Sequence, residues 1–163
     1  MRCLIAVALA GMVLPGFAQA ADGDYIRRFL VPFTGGGIVK LSLDGSPWRV
    51  NCRLDPTVSE NAVTLAGNCR LKFIFFLSND IEAKLRYDPA SDSYSGTYVV
   101  DGGPPALLSG RRKDDTLTLN VRWPTPVNGH PEATIVITND TKRFTLTTID
   151  TIGLNGKPVI TSD

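Results

Sequence analysis

From Ile38 onward, apolar residues recur at every second position in short runs, and Gly, Pro, Asn and Asp separate the runs. Trp48, Val50, Cys52 and Leu54 alternate with Arg49, Asn51 and Arg53. Ile81, Ala83, Leu85 and Tyr87 alternate with Glu82, Lys84 and Arg86, and Leu117, Leu119, Val121 and Trp123 alternate with Thr118, Asn120 and Arg122. A two-residue period sends neighbouring side chains to opposite faces, so each run predicts a strand with one dry and one wet face. The pattern predicts strands near 25–33, 38–43, 48–54, 62–66, 69–77, 81–87, 94–100, 106–111, 116–123, 133–138, 143–150 and 157–162. Tyr25 to Leu30 is the one stretch of ambiguous period.

The punctuation has its own chemistry. Asp44-Gly45, Asp55-Pro56, Gly67-Asn68, Asp101-Gly102-Gly103-Pro104-Pro105, Asn128-Gly129 and Asn139-Asp140 are turn formers. Gly, Asn and Asp tolerate positive φ, and Pro presets its own. Strands about ten residues apart with tight turns imply antiparallel hairpins in chain order. So many strands in one domain must hide their edges. Every connection is short, which favours an up-and-down β-barrel over the alternative, a β-sandwich. Gly35-Gly36-Gly37 is read as a flexible run that separates a first strand or arm from the main sheet.

The first twenty residues depart from this rhythm. Met1-Arg2 precedes an apolar run from Cys3 through Phe17, and Ala18-Gln19-Ala20 supplies a small-x-small site. That is the pattern of a cleavable signal, too short to span a bilayer, which takes roughly 20 apolar residues. Residues 1–20 are therefore expected to be removed, leaving residues 21–163 as a single all-β domain in the periplasm or outside a bacterial cell. The mature chain loses Arg2, so sixteen basic residues balance sixteen acidic ones with His130 neutral. Without a basic surplus, nucleic acid is not an expected partner. Cys52 and Cys69 are the remaining thiols, and two cysteines in an oxidising compartment predict one disulfide, here buried and joining neighbouring strands from inside.

Catalytic and metal motifs are missing from the linear sequence. His130 stands alone in Asn128-Gly129-His130-Pro131 and reads as a turn residue. There is no Gly-x-Ser-x-Gly elbow, Gly-rich phosphate loop or His-Glu-x-x-His. Asp114-Asp115 lacks the spaced oxygen array of a calcium loop. No enzyme activity, metal or cofactor is expected. Aromatic mass at dry-face positions does stand out: Trp48, Phe73, Phe75, Tyr87, Tyr98, Trp123 and Phe144 are candidates to line an interior, since a small barrel either fills its centre or holds one ligand. The leading expectation is a non-enzymatic exported barrel that binds a small apolar ligand or an envelope protein. A second is an inhibitor or interaction module presenting rigid loops, with Pro104, Pro105, Pro124, Pro126 and His130 as the candidate positions. A third reads the alternation inside out, as a small membrane barrel with Arg and Lys lining a lumen; integral membrane insertion is otherwise not expected. In hairpin rhythm the chain is similar to lipocalin-like barrels. Gly45-Ser46-Pro47-Trp48 departs from the Gly-x-Trp expected near their first strand, so the likeness is architectural and carries no function.

Overall fold

Alternating residues can bury one face of every strand only if the sheet curls back on itself. The computed structural model does this. It describes residues 23–40, 42, 45–72, 78–152 and 157–163. Ten strands form one closed antiparallel barrel in which each pairs with its chain neighbours and the first meets the last. They are β1 (Phe33–Val39), β2 (Trp48–Val58), β3 (Ala62–Leu71), β4 (Ser78–Asp88), β5 (Ser93–Val100), β6 (Ala106–Lys113), β7 (Thr116–Val127), β8 (His130–Asn139), β9 (Phe144–Ile152) and β10 (Lys157–Ser162). The topology is up-and-down, not a sandwich. The apolar set points inward: Leu54, Val63, Leu65, Leu85, Leu108, Leu117, Leu119, Val121, Ile135 and Ile137 are all buried. Glu82, Lys84, Arg86, Arg122 and Glu132 occupy the outward positions between them. These charged side chains lie on the outer wall, the reverse of the inside-out arrangement.

Up-and-down order gives the barrel two unlike ends. The turns after β2, β4, β6 and β8 gather at the end where β1 begins, here called the base. The ends of β1, β3, β5, β7 and β9 gather at the mouth. The predicted strand over 25–33 is instead a short helix, residues 23–27, which closes the base. Tyr25, Ile26 and Phe29 are each 1% exposed, a spacing that belongs to one helical face. The Tyr25 ring packs edge-on against Tyr94, and Phe29 against Phe33 and Phe144, with centroids 6.4, 6.1 and 5.9 Å apart. Arg28 pairs with Asp115 and donates to the Asn139 carbonyl at 2.7 Å, tying the helix to the β6–β7 turn and the end of β8. The Arg28 and Arg112 guanidinium carbons lie 5.7 and 5.2 Å from the centre of the Tyr25 ring.

Several predicted boundaries shift, each for a local reason. Gly35-Gly36-Gly37 is not a separator but the middle of β1, paired with Cys52, Asn51 and Val50. A Cβ on Gly37 would lie 2.1 Å from the Asp163 carbonyl oxygen, so glycine allows the final residues to approach. Asp55-Pro56 and Gly67-Asn68 are not turns; they lie within β2 and β3, where Pro56 faces Leu65 and Gly67 faces Leu54. Pro56 lies beyond the last rung shared with β1, Phe33↔Leu54. Its missing N–H therefore costs the ladder nothing there. Gly67 lets the Arg53 carbonyl come within 1.9 Å of where its Cβ would stand, a close approach that coils the hairpin sharply. The predicted strands 62–66 and 69–77 consequently merge into β3 as far as Leu71, and residues 73–77 lie outside the described part.

Cys52 and Cys69 face one another across β2 and β3, with an S–S distance of 2.02 Å and Cα atoms 4.1 Å apart. Three rungs along, the Lys72 N–H donates to the Arg49 carbonyl, and the two types of rung alternate. The cysteines therefore occupy the alternate, non-hydrogen-bonded type of pair, in which side chains stand closest. The bridge faces inward as predicted but is half-buried instead of buried, because it lies toward the mouth.

Candidate functional site

The inner wall changes character from base to mouth. Near the helix, inward Tyr87, Tyr94, Leu117 and Ile137 are buried, while Phe33, Phe144 and Leu146 are half-buried. Toward the mouth, Val50, Cys52, Cys69, Leu71, Ile81, Ala83, Tyr98, Val100 and Trp123 also face inward by register yet are only half-buried. Inward-facing Gly35 stands opposite Cys52. A Cβ added there would meet no atom within 4 Å, so the wall beside the disulfide is unfilled. This half-exposed, mostly apolar stretch of the inner wall is here called the cup.

One wall of the cup is aromatic. Trp123 on β7 and Tyr98 on β5 meet edge-on with centroids 6.2 Å apart. Ala106, paired with Tyr98 on the strand between, is small enough to let the rings meet. Burial raises the pKa of the Tyr98 hydroxyl above its ordinary range, and the negative charge of Asp101 raises it further. The Trp123 indole N–H has no hydrogen-bond partner. A second stretch of wall, on β9 and β10, is polar. Ser162 Oγ lies 2.7 Å from Thr148 Oγ1, and Thr161 Oγ1 donates to the Thr148 carbonyl at 3.4 Å. Asp150, two residues beyond Thr148 on the same face of β9, is 2% exposed, and its Oδ1 has no partner. Buried polar atoms are nearly always satisfied in folded proteins, which makes the Trp123 and Asp150 atoms informative; Asn139 Nδ2, at the base end of β8, is another without a partner.

The predicted lining residues do not form one wall. Tyr98 and Trp123 line the cup. Tyr87 and Phe144 belong to the base: Tyr87 packs on Tyr94 with centroids 5.1 Å apart, and Phe144 on Phe33 at 4.6 Å. Trp48 lies at the rim. It has inward parity, but it pairs with Val39, the last residue of β1, and at this rim it is 39% exposed. Phe73 and Phe75 lie outside the described residues, as does the predicted signal, residues 1–20.

The predicted interaction loops are partly strands. Pro104 and Pro105 do lie in the exposed β5–β6 connection. The turn before them has positive φ at Asp101 and Gly102 and is closed by the Gly103 N–H on the Val100 carbonyl at 2.9 Å. Asp101 also accepts from the Asp80 N–H at 2.7 Å and from Asn79 Nδ2 at 2.5 Å, fixing this connection to β4. Pro124 and Pro126, by contrast, sit within β7, and His130 is not a turn residue but the half-buried start of β8, paired with Val127. The true turn is Asn128-Gly129 alone, both at positive φ. The β7–β8 register shifts between Arg122 and Val127, where the two prolines cannot donate. Both segments project at the mouth.

Two recesses of about 370 and 500 Å3 open on the outer wall, one beside Gly36, Arg49 and Lys72, the other beside Leu107, Arg122 and Glu132. Among the described residues, no three His, Cys, Asp or Glu side chains gather where they could hold a metal ion, and no helix is long and apolar enough to cross a membrane. Sequence reasoning missed Asp150. Its signal was legible, since an acidic residue shares the parity of Phe144 and Leu146 on the dry face of β9. Comparison with known proteins finds no matching family model and no matching curated relative.

Proposed function

We propose that this chain, exported and freed of residues 1–20, is a non-enzymatic binding protein of a bacterial cell envelope that takes a small, largely apolar molecule into the mouth of its barrel. The observation that carries this reading is the half-exposed, mostly apolar inner lining around Trp123, Tyr98, Ile81 and the Cys52–Cys69 bridge, close to a buried carboxyl on β9 that lacks a hydrogen-bond partner. Apolar lining with a few convergent polar groups is the usual composition of a small-molecule site. The test is titration of the mature protein with N-phenyl-1-naphthylamine, an uncharged apolar fluorophore, followed through its own emission and through quenching of tryptophan. Saturable one-to-one binding, weakened several-fold in Trp123→Ala but unchanged in Leu107→Ala on the outer wall, supports the reading. An absence of saturable binding refutes it.

A second reading has its own observation. Trp48, the Pro104-Pro105 connection and the Asn128-Gly129 hairpin are all exposed at the same rim, and prolines lower the entropy lost on docking a protein partner. Capture of an envelope protein by the native chain, lost in a Pro104→Ala/Pro105→Ala variant of unchanged stability, would favour it over carriage of a small molecule.

A further inference from the structure

We infer that Asp150 is the polar anchor of the cup and that the molecule held there is an amphiphile with a hydrogen-donating ammonium head and an apolar tail. The inference rests on the small-molecule reading and makes it specific. Asp150 is 2% exposed, faces inward, and leaves Oδ1 without a partner. Its neighbours at the same level are Ala133 on β8 and Val159 on β10, which offer no side-chain donor. The nearby hydroxyls are engaged with β9 itself: Ser162 with the Thr148 side chain and Thr161 with the Thr148 carbonyl. The inner wall does carry a guanidinium, that of Arg112, but it lies at the base against Tyr25.

A buried carboxyl oxygen left without a donor destabilises the protein that carries it, because its hydration is not replaced. Such a group is satisfied when a ligand brings the donor. A carboxylate that belongs to no cluster of three or more His, Cys, Asp or Glu among the described residues suits a single ammonium better than a calcium ion, which takes six to eight oxygens. The tail would lie across the cup against Trp123 and Tyr98. The aromatic wall and the polar wall thus match the two halves of one molecule.

The experiment compares dodecylamine, dodecanol and dodecanoate, all below their micellar concentrations, as competitors of bound N-phenyl-1-naphthylamine. The mature native protein is set beside Asp150→Asn and Asp150→Leu, with thermal melts confirming that each variant folds. The expected result is that the amine binds about tenfold or more tightly than the alcohol, with the carboxylate weakest, as for a charge-assisted hydrogen bond in a dry site. In both variants the preference for the amine should vanish while the alcohol still binds. Equal binding of all three by the native protein, or an amine preference that survives both substitutions, overturns the anchor and leaves the small-molecule reading intact. Failure of every amphiphile, with no binding of the fluorophore itself, overturns both.

Discussion

Phe29 and Leu30 are adjacent, both large and apolar, and meet opposite fates: Phe29 is 1% exposed at the base, whereas Leu30 is 62% exposed. If the short helix is part of the folded domain, truncating the two must have very different effects. The Phe29 ring touches Tyr25, Phe33 and Phe144, with centroids 5.5, 6.1 and 5.9 Å away. Replacing it by alanine removes its transfer energy and leaves a cavity between three aromatic rings that the barrel wall cannot collapse to fill. Phe→Ala at a fully buried site costs about 3–5 kcal/mol. The three edge contacts place this site toward the upper end of that range. For a chain of this size that corresponds to roughly a 10–15 °C fall in Tm. Leu30→Ala should change stability by no more than about 0.5 kcal/mol. Urea unfolding of both variants, followed by tryptophan emission and far-ultraviolet circular dichroism in parallel, gives the two values and checks that the transitions coincide. A Phe29→Ala cost below about 1 kcal/mol, or near-equal costs for the pair, would show that the helix does not close the barrel, since a residue buried to this degree cannot be removed cheaply.

Three further outcomes are expected. Gly96→Ala and Gly110→Ala place a Cβ 1.8 Å from the Lys84 carbonyl oxygen and 1.9 Å from that of Thr118; each should cost about 1–3 kcal/mol or more by forcing the backbone apart. Gly35→Ala, with nothing within 4 Å, should be neutral or slightly stabilising, and equal melting temperatures for the three variants would contradict this account of the wall. Replacing Cys52 and Cys69 by serine should cost about 3 kcal/mol through the freed loop of the unfolded chain, and a Tm unmoved by the substitution or by reductant would discount the bridge. Tyr98 tests alkaline stability. Its pKa is raised above 10.0, first by burial and then by Asp101. The unfolded chain therefore gives up this proton before the folded one does, so the stability contributed is present below the ordinary tyrosine pKa and is lost as pH rises through the raised value. Urea midpoints between about pH 9 and 11 should fall less steeply in Tyr98→Phe than in the native protein, whereas identical slopes would remove Tyr98 from the explanation.

What the chain discloses before folding follows from how local each cause is. Period-two alternation is written into adjacent residues, so β4, β5, β6 and the start of β7 are legible within a few positions, as is the Asn128-Gly129 turn, whose two residues both accept positive φ. The Cys52–Cys69 pairing needs only the count of thiols. Pro56 and Gly67 mislead because their local meaning is a break. In the barrel one lies past the end of β1, and the other gives way to a neighbouring carbonyl, both facts about distant segments. The helix over residues 23–27 is short enough that its partners decide it: Tyr25 and Phe29 are held by Tyr94, Phe33 and Phe144. The candidate lining divides for the same reason. Parity tells which face a ring occupies, but height along the barrel, which separates Trp123 from Phe144 and exposes Trp48, emerges from the staggered pairing of all the strands. Asp150 is the reverse case, a residue whose parity was plain and whose chemistry was overlooked because it stands alone.

The meeting of β1 with β10 closes the barrel. Val39 pairs with Ser162, and the Ile38 and Asp163 backbones exchange hydrogen bonds, whereas every other rung joins consecutive strands. The consecutive hairpins close short loops, whereas this seam closes the longest loop in the molecule and carries the largest closure entropy. Until it forms, the sheet is an open ribbon with two sticky margins. The closed shape therefore depends on both margins being present together, which ties the barrel to its two most distant strands.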